Sequence, residues 1–355
     1  MIQRTILTKE INFKLQTKIS VLATILSGLL GVAMAYNNYG VWSLVIKSIS
    51  GLFITALFFW AWNKWRPKLI FSIDSFKELF GFGSKLLIGG LLDTVFKNIY
   101  SIVIGKYFTA EQLGYYTRAD QFQALPSQNI TVIINRVSYP ILSTMQDDTA
   151  ALKKAYKKMI ITTMYITFLS MFLLAAIAEP LVHFLIGSKW HQTVIYLQLL
   201  CFTGIFFPLH VFNLNILKVK GRTDILLKLE IIKKILFVPI IILGVIYGIK
   251  TLIVGLIILN IISYFLNSYW SGKFIGYSLF QQIKDISPSF FLGLGIGVLI
   301  LLLVNILPNV NLAKLILSFT AWLFLVIFIS ELFKMESYLF IKKTILSKLF
   351  LKNNN

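Results

Sequence analysis

Apolar residues run along this chain in ten long, nearly unbroken stretches, at 19–36, 42–62, 79–103, 119–142, 159–178, 193–214, 229–248, 250–270, 289–307 and 312–332. Each is close to the roughly 20 residues that a helix needs to cross the hydrocarbon core of a bilayer. Only helices and closed barrels satisfy every backbone amide and carbonyl inside lipid. Barrel strands alternate apolar and polar residues every second position, and these runs do not. The pattern therefore predicts an all-α integral membrane protein, a polytopic bundle of about ten transmembrane helices.

Charge orders the bundle. Taken alternately, the segments joining the spans form two sets. One (1–18, 63–78, 143–158, 215–228, 271–288, 333–355) holds 23 Lys or Arg, among them Lys153, Lys154, Lys157 and Lys158; the other holds three, Lys106, Arg118 and Lys189. A missed span would scramble that contrast. By the positive-inside rule the first set, with both termini, is expected in the cytoplasm. Trp42, Trp60, Trp62 and Trp65 fall near predicted interfaces, as an aromatic belt would. The tail alternates Lys343, Lys348 and Lys352 with Ile341, Leu346, Leu349 and Phe350, which fits either an amphipathic helix on the inner leaflet or a frayed end.

Composition agrees. The chain of 355 residues is 57% hydrophobic and 14% charged, against about 25% charged in a soluble domain. The net charge of +20 belongs beside anionic lipid, so no nucleic-acid partner is expected. The lone Cys201 excludes an internal disulfide framework, and His183, His191 and His210 lack ligand spacing, so no metal and no cofactor are expected. The outer loops are short and offer only Glu111 and Glu179, far apart, which argues against a loop-borne catalytic cluster and hence against an enzyme.

Two stretches repeat a pattern. Residues 19–47 and 232–258 each read as a basic approach, a span, Leu-Gly-Val (Leu30-Gly31-Val32; Leu243-Gly244-Val245), an aromatic, a tight turn and a second span. A parallel repeat of this kind puts a substrate path between two halves.

Polar residues inside the spans are the functional candidates, because lipid rejects them. In the third span Lys85, Gly89, Asp93 and Lys97 follow at four-residue steps on one face, continued by Tyr100 and Ser101, with Asn98 beside them. Pairing of Asp93 with Lys97 and snorkelling of Lys85 is the plainer reading, but it leaves the face polar and so turned inward. In the fourth span Gln121, Gln128 and Asn135 lie seven apart, Thr131 and Ser138 fill the same face, and Asn129 and Arg136 sit one step round. Pro126 is expected to kink this helix. For Arg136, snorkelling to the headgroups competes with facing inward. Together the two spans predict the wall of a wet cavity, net cationic from Lys85, Lys97 and Arg136, with Lys47 adding to it if the second span faces the same way. Such a cavity suits phosphate oxygens. Asn260, Ser263, Tyr264 and Asn267 share another face, read as interhelical hydrogen bonding. Gly293, Gly295 and Gly297, like Ser20, Thr24, Ser27 and Gly31, read as packing surfaces.

Over most of its length the sequence resembles the polysaccharide-export flippases, the O-antigen and capsule type within the multidrug, oligosaccharidyl-lipid and polysaccharide exporter superfamily. The residues that carry the resemblance are 7–14 (LTKEINFK), 81–105 ending in KNIYSIVIG, 113–119 (LGYYTRA), 135–148 (NRVSYPILSTMQDD), 179–190 (EPLVHFLIGSKW) and 220–224 (KGRTD), in that order and spacing. The resemblance implies a two-lobe exporter fold, here partial: 1–78 as a two-helix remnant of the first lobe, 79–270 as the second six-helix lobe, 271–332 as two extra transmembrane helices and 333–355 as a basic cytoplasmic tail. LTKEINFK follows the fourth helix in the family pattern, so about four helices would be lacking. Lys97 and Asn98 match a basic-Asn pair in the first helix of the second lobe, and Arg136 a basic position before the Pro140 motif. The implied function is alternating-access transport of an undecaprenyl-diphosphate-linked oligosaccharide across the bacterial inner membrane, for O-antigen, lipopolysaccharide or other surface polysaccharide. Lys85, Lys97 and Arg136 would serve the diphosphate, with Asn98 beside them. Gln128, Asn129 and Asn135 would serve the sugar, and Asp93 would bind a coupling ion or orient Lys97. Membrane lipids and other polysaccharide-assembly proteins would be partners. The alternatives are a multidrug/cation antiporter of the same superfamily, which would favour an acidic cavity, and a truncated form without transport activity.

Overall fold

The computed structural model describes residues 7, 13–62, 72–74, 76–77, 80, 98–308 and 310–343, without the side chains of Phe13, Asn135, Arg136, Val137, Tyr139, Pro140 and Thr223. The chain divides into two compact units, Met1–Gly90 and Leu91–Asn355. The first contains α1 (Phe13–Tyr36) and α2 (Val41–Trp62). The described part of the second begins with a helical stretch at 98–107. Then follow α3 (Ala110–Ser143), α4 (Thr149–Ala176), α5 (Ala178–Ile186), a 3₁₀ turn (Ser188–Trp190), α6 (His191–Gly204), α7 (Phe206–Val219), α8 (Thr223–Tyr247), α9 (Ile249–Ile275), α10 (Leu279–Ile306) and α11 (Asn311–Leu332). A last helical turn covers 336–343.

The hydropathy pattern located these helices closely. Among the described residues seven helical stretches are long and apolar enough to cross a membrane, with 188–219 counted as one. α3 and α8 are helical where spans were expected but carry more polar residues, and most of 79–103 lies outside the described residues. The expected single span 193–214 is two helices that meet at Ile205. Pro208 supplies no amide for the Gly204 carbonyl, so the helical ladder is interrupted there. At Gly204 an added Cβ would lie 2.1 Å from Gln123 Nε2, so α3 packs directly on that point. The segment between α4 and α6, expected as a plain outer loop, holds α5 and the 3₁₀ turn.

Local chemistry explains the ends. Asp148 caps α4, its Oδ1 accepting from the amides of Ala150 and Ala151 at 3.0 Å. Ser278 and Gln281 form a reciprocal capping box at the start of α10. Gly276 (φ +63°) ends α9 in the left-handed region that glycine adopts without cost.

The two hairpins of the proposed repeat pack alike. In α1–α2, a Cβ on Gly31 would lie 2.9 Å from Lys47 Cβ, and one on Gly51 3.2 Å from Ser27 Oγ. In α8–α9, a Cβ on Gly244 would lie 2.6 Å from Leu252 Cβ, and one on Gly255 2.5 Å from Ile240 Cγ2. In each hairpin the glycine of Leu-Gly-Val seats a side chain of the second helix, and a glycine of the second helix seats the residue four places earlier on the first. Lys47 thus spends its stem on Gly31 while the residue as a whole stays exposed.

α10 packs closely on α4 through glycines four apart. A Cβ on Gly293 would come within 3.1 Å of the Phe168 carbonyl carbon, and one on Gly297 within 3.0 Å of Phe172 Cβ. Gly295, grouped with them from sequence, faces open space. At four-residue spacing Gly293 and Gly297 share a face, and a residue two places along points elsewhere.

Candidate functional site

The candidate site is the outward face of α3. Tyr116, Ala119, Gln123, Ser127, Ile134, Ser138 and Leu142 recur at steps of three, four or seven residues and are buried. That stripe is the helix's contact with its unit, and part of it is polar but satisfied. Gln123 Nε2 donates to Ser127 Oγ at 2.9 Å, and Asn215 Nδ2 donates to Ser138 Oγ at 3.1 Å. The opposite face is exposed. Asp120, Gln121, Phe122, Ala124, Leu125, Gln128 and Asn129 line an open groove of about 560 Å³.

Within the groove some groups are already engaged and others face outward. Arg118 donates to Gln121 Oε1 at 2.9 Å. Asn129 Nδ2 donates to the Leu125 carbonyl at 2.6 Å, leaving its own carbonyl oxygen as an acceptor. Gln128 is exposed between them. A carboxylate and three amides spaced over about two and a half turns can hydrogen-bond a polyhydroxylated ligand or water, and lipid chains offer them no partner.

The structure brings together Gln128 and Asn129 from the predicted site, joined by Gln121 and by Asp120. Lys85, Asp93 and Lys97, and the side chains of Asn135 and Arg136, lie outside the described residues. Asn98 is exposed at the head of the 98–107 stretch. Two positions expected on polar faces are not there. Tyr100 is buried, its ring edge-on to Phe237 with centroids 4.9 Å apart. Ser138 is buried against Asn215. Seventeen residues beyond Gln121, it sits about 100° round the helix at 3.6 residues per turn, which brings it onto the packed side.

Two buried polar networks join helices, and sequence reading foresaw only the α9 face of them. Asn213 Oδ1 accepts from the Tyr156 hydroxyl (3.0 Å), from Ser271 Oγ and from Gln282 Nε2 (3.3 Å). Tyr264 donates to Gln282 Oε1 at 3.4 Å, so α4, α7, α9 and α10 converge on one point. Beside it His210 bridges two amides of α9, Nε2 paired with Asn260 Oδ1 (3.0 Å) and Nδ1 with Asn267 Nδ2 (3.1 Å). These pairs fit the neutral tautomer that carries its proton on Nε2. The predicted face of Asn260, Tyr264 and Asn267 is therefore engaged in interhelical hydrogen bonding, as expected. His210 at three- and five-residue distances from Asn213 and Asn215 on its own helix was the weak signal.

Four of the stretches that carry the family resemblance meet in pairs. Trp190 packs on Gly114 (3.6 Å to an added Cβ), lies edge-on to Tyr115 (5.6 Å) and receives Arg118 over its ring (5.9 Å). At the lysine-rich end Lys220 Nζ donates to the Gln146 carbonyl. Arg222 pairs bidentately with Asp224 (2.9 and 2.8 Å) and holds its carboxyl down to about 2.

Residues 1–195 match the family described as polysaccharide biosynthesis protein. The teichuronic acid biosynthesis protein TuaB of Bacillus subtilis is 28% identical over 224 residues, 62% of this chain and 46% of that protein. The lipopolysaccharide biosynthesis protein WzxC of Escherichia coli is 27% identical over 299 residues, 82% of this chain and 60% of that protein. The chain thus spans about half the length of these curated relatives. The lipid II flippase MurJ, in an inward closed conformation, superposes with a TM-score of 0.64 at 19% identity, over 88% of this chain and 68% of that one. That likeness shows the fold, which is all-α and multi-pass.

Proposed function

Since this chain belongs to the polysaccharide biosynthesis protein family, we propose that it is a flippase that moves an undecaprenyl-diphosphate-linked oligosaccharide across the bacterial inner membrane. The observation that carries the reading is the exposed run Asp120, Gln121, Gln128 and Asn129 on a 34-residue helix otherwise built to sit among transmembrane neighbours. The amides supply sugar-binding donors and acceptors. Asn135 joins Gln128 and Asn129 for the sugar, and Lys85, Lys97 and Arg136 supply the cations for the diphosphate, with Asn98 beside them. Asp93 takes a coupling ion or orients Lys97. Transport is by alternating access, and both termini face the cytoplasm, where the lysine-rich segments belong. On this reading the chain is a transporter and not an enzyme. Its work is differential binding to two states of the same protein.

One observation favours a second reading. Among the described residues, the charged side chain lining the groove is Asp120, which would suit export of a cationic solute. Surface polysaccharide separates the two. In cells that depend on this chain for export, Lys97→Ala and Arg136→Ala are each expected to reduce surface polymer at unchanged protein level. Normal polymer in the double variant refutes the diphosphate assignment. Loss of cationic-dye resistance in Asp120→Asn, with normal polymer, favours the antiporter.

A further inference from the structure

The four lysines at the start of α4 divide between two faces. Lys153 and Lys157, one turn apart, reach the α9–α10 connection. Lys153 Nζ donates to the Gly276 carbonyl, and Lys157 Nζ pairs with Asp285 at 2.8 Å. Asp285 also accepts from Tyr277 at 2.6 Å, and burial pushes that phenol up so that it remains a donor. These two lysines are structural. Lys154 and Lys158, also one turn apart, lie on the adjacent face, beside the last helical turn 336–343.

Two neighbouring hollows lie there. The larger, about 410 Å³, is walled by Ile133, Ile134, Met159 and Phe212, with Lys158 and Phe340 at its edge. Its size falls within the range of roughly 300–1,000 Å³ typical of small-molecule sites. The smaller, about 250 Å³, is lined by Lys154, Lys157, Lys158, Glu336 and Ser337. Lys158, Thr162 and Phe340 border both, and the Lys158 ammonium lies 3.8 Å from the Phe340 ring centroid. The site is therefore amphipathic, an apolar slot beside a basic vestibule. Asp285 neutralises Lys157, and Glu336 offsets one of the other two lysines, so the vestibule carries a net charge of about +1 by side-chain count.

We infer that this is a binding site for an anionic phospholipid of the leaflet at the lysine-rich end. One acyl chain fills the apolar slot, and the phosphodiester sits between Lys154 and Lys158. A single phosphodiester charge complements +1, whereas a diphosphate would exceed it. The helical turn 336–343 closes over the lipid, since Ser337 is buried, Lys342 pairs with Glu331 at 2.8 Å and Phe340 roofs both hollows. This inference does not depend on what the protein transports.

The test uses the full chain in nanodiscs of phosphatidylcholine, with or without phosphatidylglycerol, and reads thermal stability and lipid retained through native mass spectrometry. Phosphatidylglycerol is expected to raise the melting temperature of the wild type and to remain bound. Lys154→Gln with Lys158→Gln is expected to weaken retention by roughly thirtyfold, from about one charge interaction at each lysine. Thr162→Phe, which fills the slot and keeps both lysines, is expected to abolish retention while the protein still melts cooperatively in phosphatidylcholine. Three results would overturn the site: equal retention by the lysine variant, unchanged retention by Thr162→Phe, or the same stabilisation from inorganic phosphate alone.

Discussion

Asn213 is the point on which α4, α7, α9 and α10 converge, and replacing it with alanine should loosen all four. The alanine removes the acceptor of the Tyr156 hydroxyl, of Ser271 and of Gln282. Ser271 keeps the Ser268 carbonyl at 3.3 Å, and Gln282 keeps the Tyr277 carbonyl at 3.3 Å. The fully buried Tyr156 hydroxyl loses Asn213 Oδ1 and is left beside the Ser271 hydroxyl, which loses the same acceptor. Losing the acceptor of a buried hydroxyl costs about 1–3 kcal/mol. Each interhelical bond lost by Ser271 and Gln282 adds about 0.6 kcal/mol in a membrane. Asn213→Ala should therefore cost about 2–4 kcal/mol. Tyr156→Phe leaves Asn213 two donors and should cost about 0.5–1.5 kcal/mol. In the double variant there is no hydroxyl to orphan, so the two losses should fall short of additivity by about 1 kcal/mol or more. Denaturant titration in mixed micelles, read by tryptophan fluorescence, measures all three. Additivity within about 0.5 kcal/mol would refute the hydrogen-bond assignment.

The remaining predictions concern packing, charge and the groove. Gly297→Val should lower the melting temperature, because its Cβ would press on Phe172 at 3.0 Å, while Gly295→Val, facing open space, should not; overpacking of this kind costs about 1–3 kcal/mol. The Asp224 carboxyl should titrate near 2 by NMR in micelles and return towards 3.8 in Arg222→Gln. Its folded value is depressed, so the small stability that the pair contributes is present above about pH 4 and is lost as pH falls towards 2. Gln128→Ala with Asn129→Ala should reduce export of surface polysaccharide at normal expression, quantified on whole cells. Unimpaired export would remove the groove from the transport path.

Most of the bundle was legible because hydrophobic length and charge alternation are local signals that lipid imposes on every helix. The face of α3 was only half legible. The seven-residue spacing of Gln121 and Gln128 identified a shared polar stripe, read as the wall of a wet cavity, but extending it to Ser138 ignored the drift of a 3.6-residue helix against a seven-residue count. Tyr100 was misplaced for a different reason. An aromatic with one hydroxyl can serve a polar or a packed face, and Phe237, far away in sequence, decided it. Pairings such as Tyr156 with Asn213 or Lys157 with Asp285 were not readable at all. Periodicity says which residues share a face, but the partner across the interface depends on the packing of another helix. The break at Ile205 did have a signal, Pro208 inside an apolar run, which hydropathy alone passes over.

The central claim is that the amide-bearing face of α3 meets water rather than acyl chains. Cys201, the chain's one cysteine, is buried, so a Cys201→Ser background can carry single reporters. In intact membranes Gln121→Cys and Gln128→Cys should react with a membrane-impermeant maleimide many times faster than Leu243→Cys, on an exposed apolar face of α8. Equally slow reaction at all three positions, with a lipid-soluble maleimide reaching each, would contradict the account.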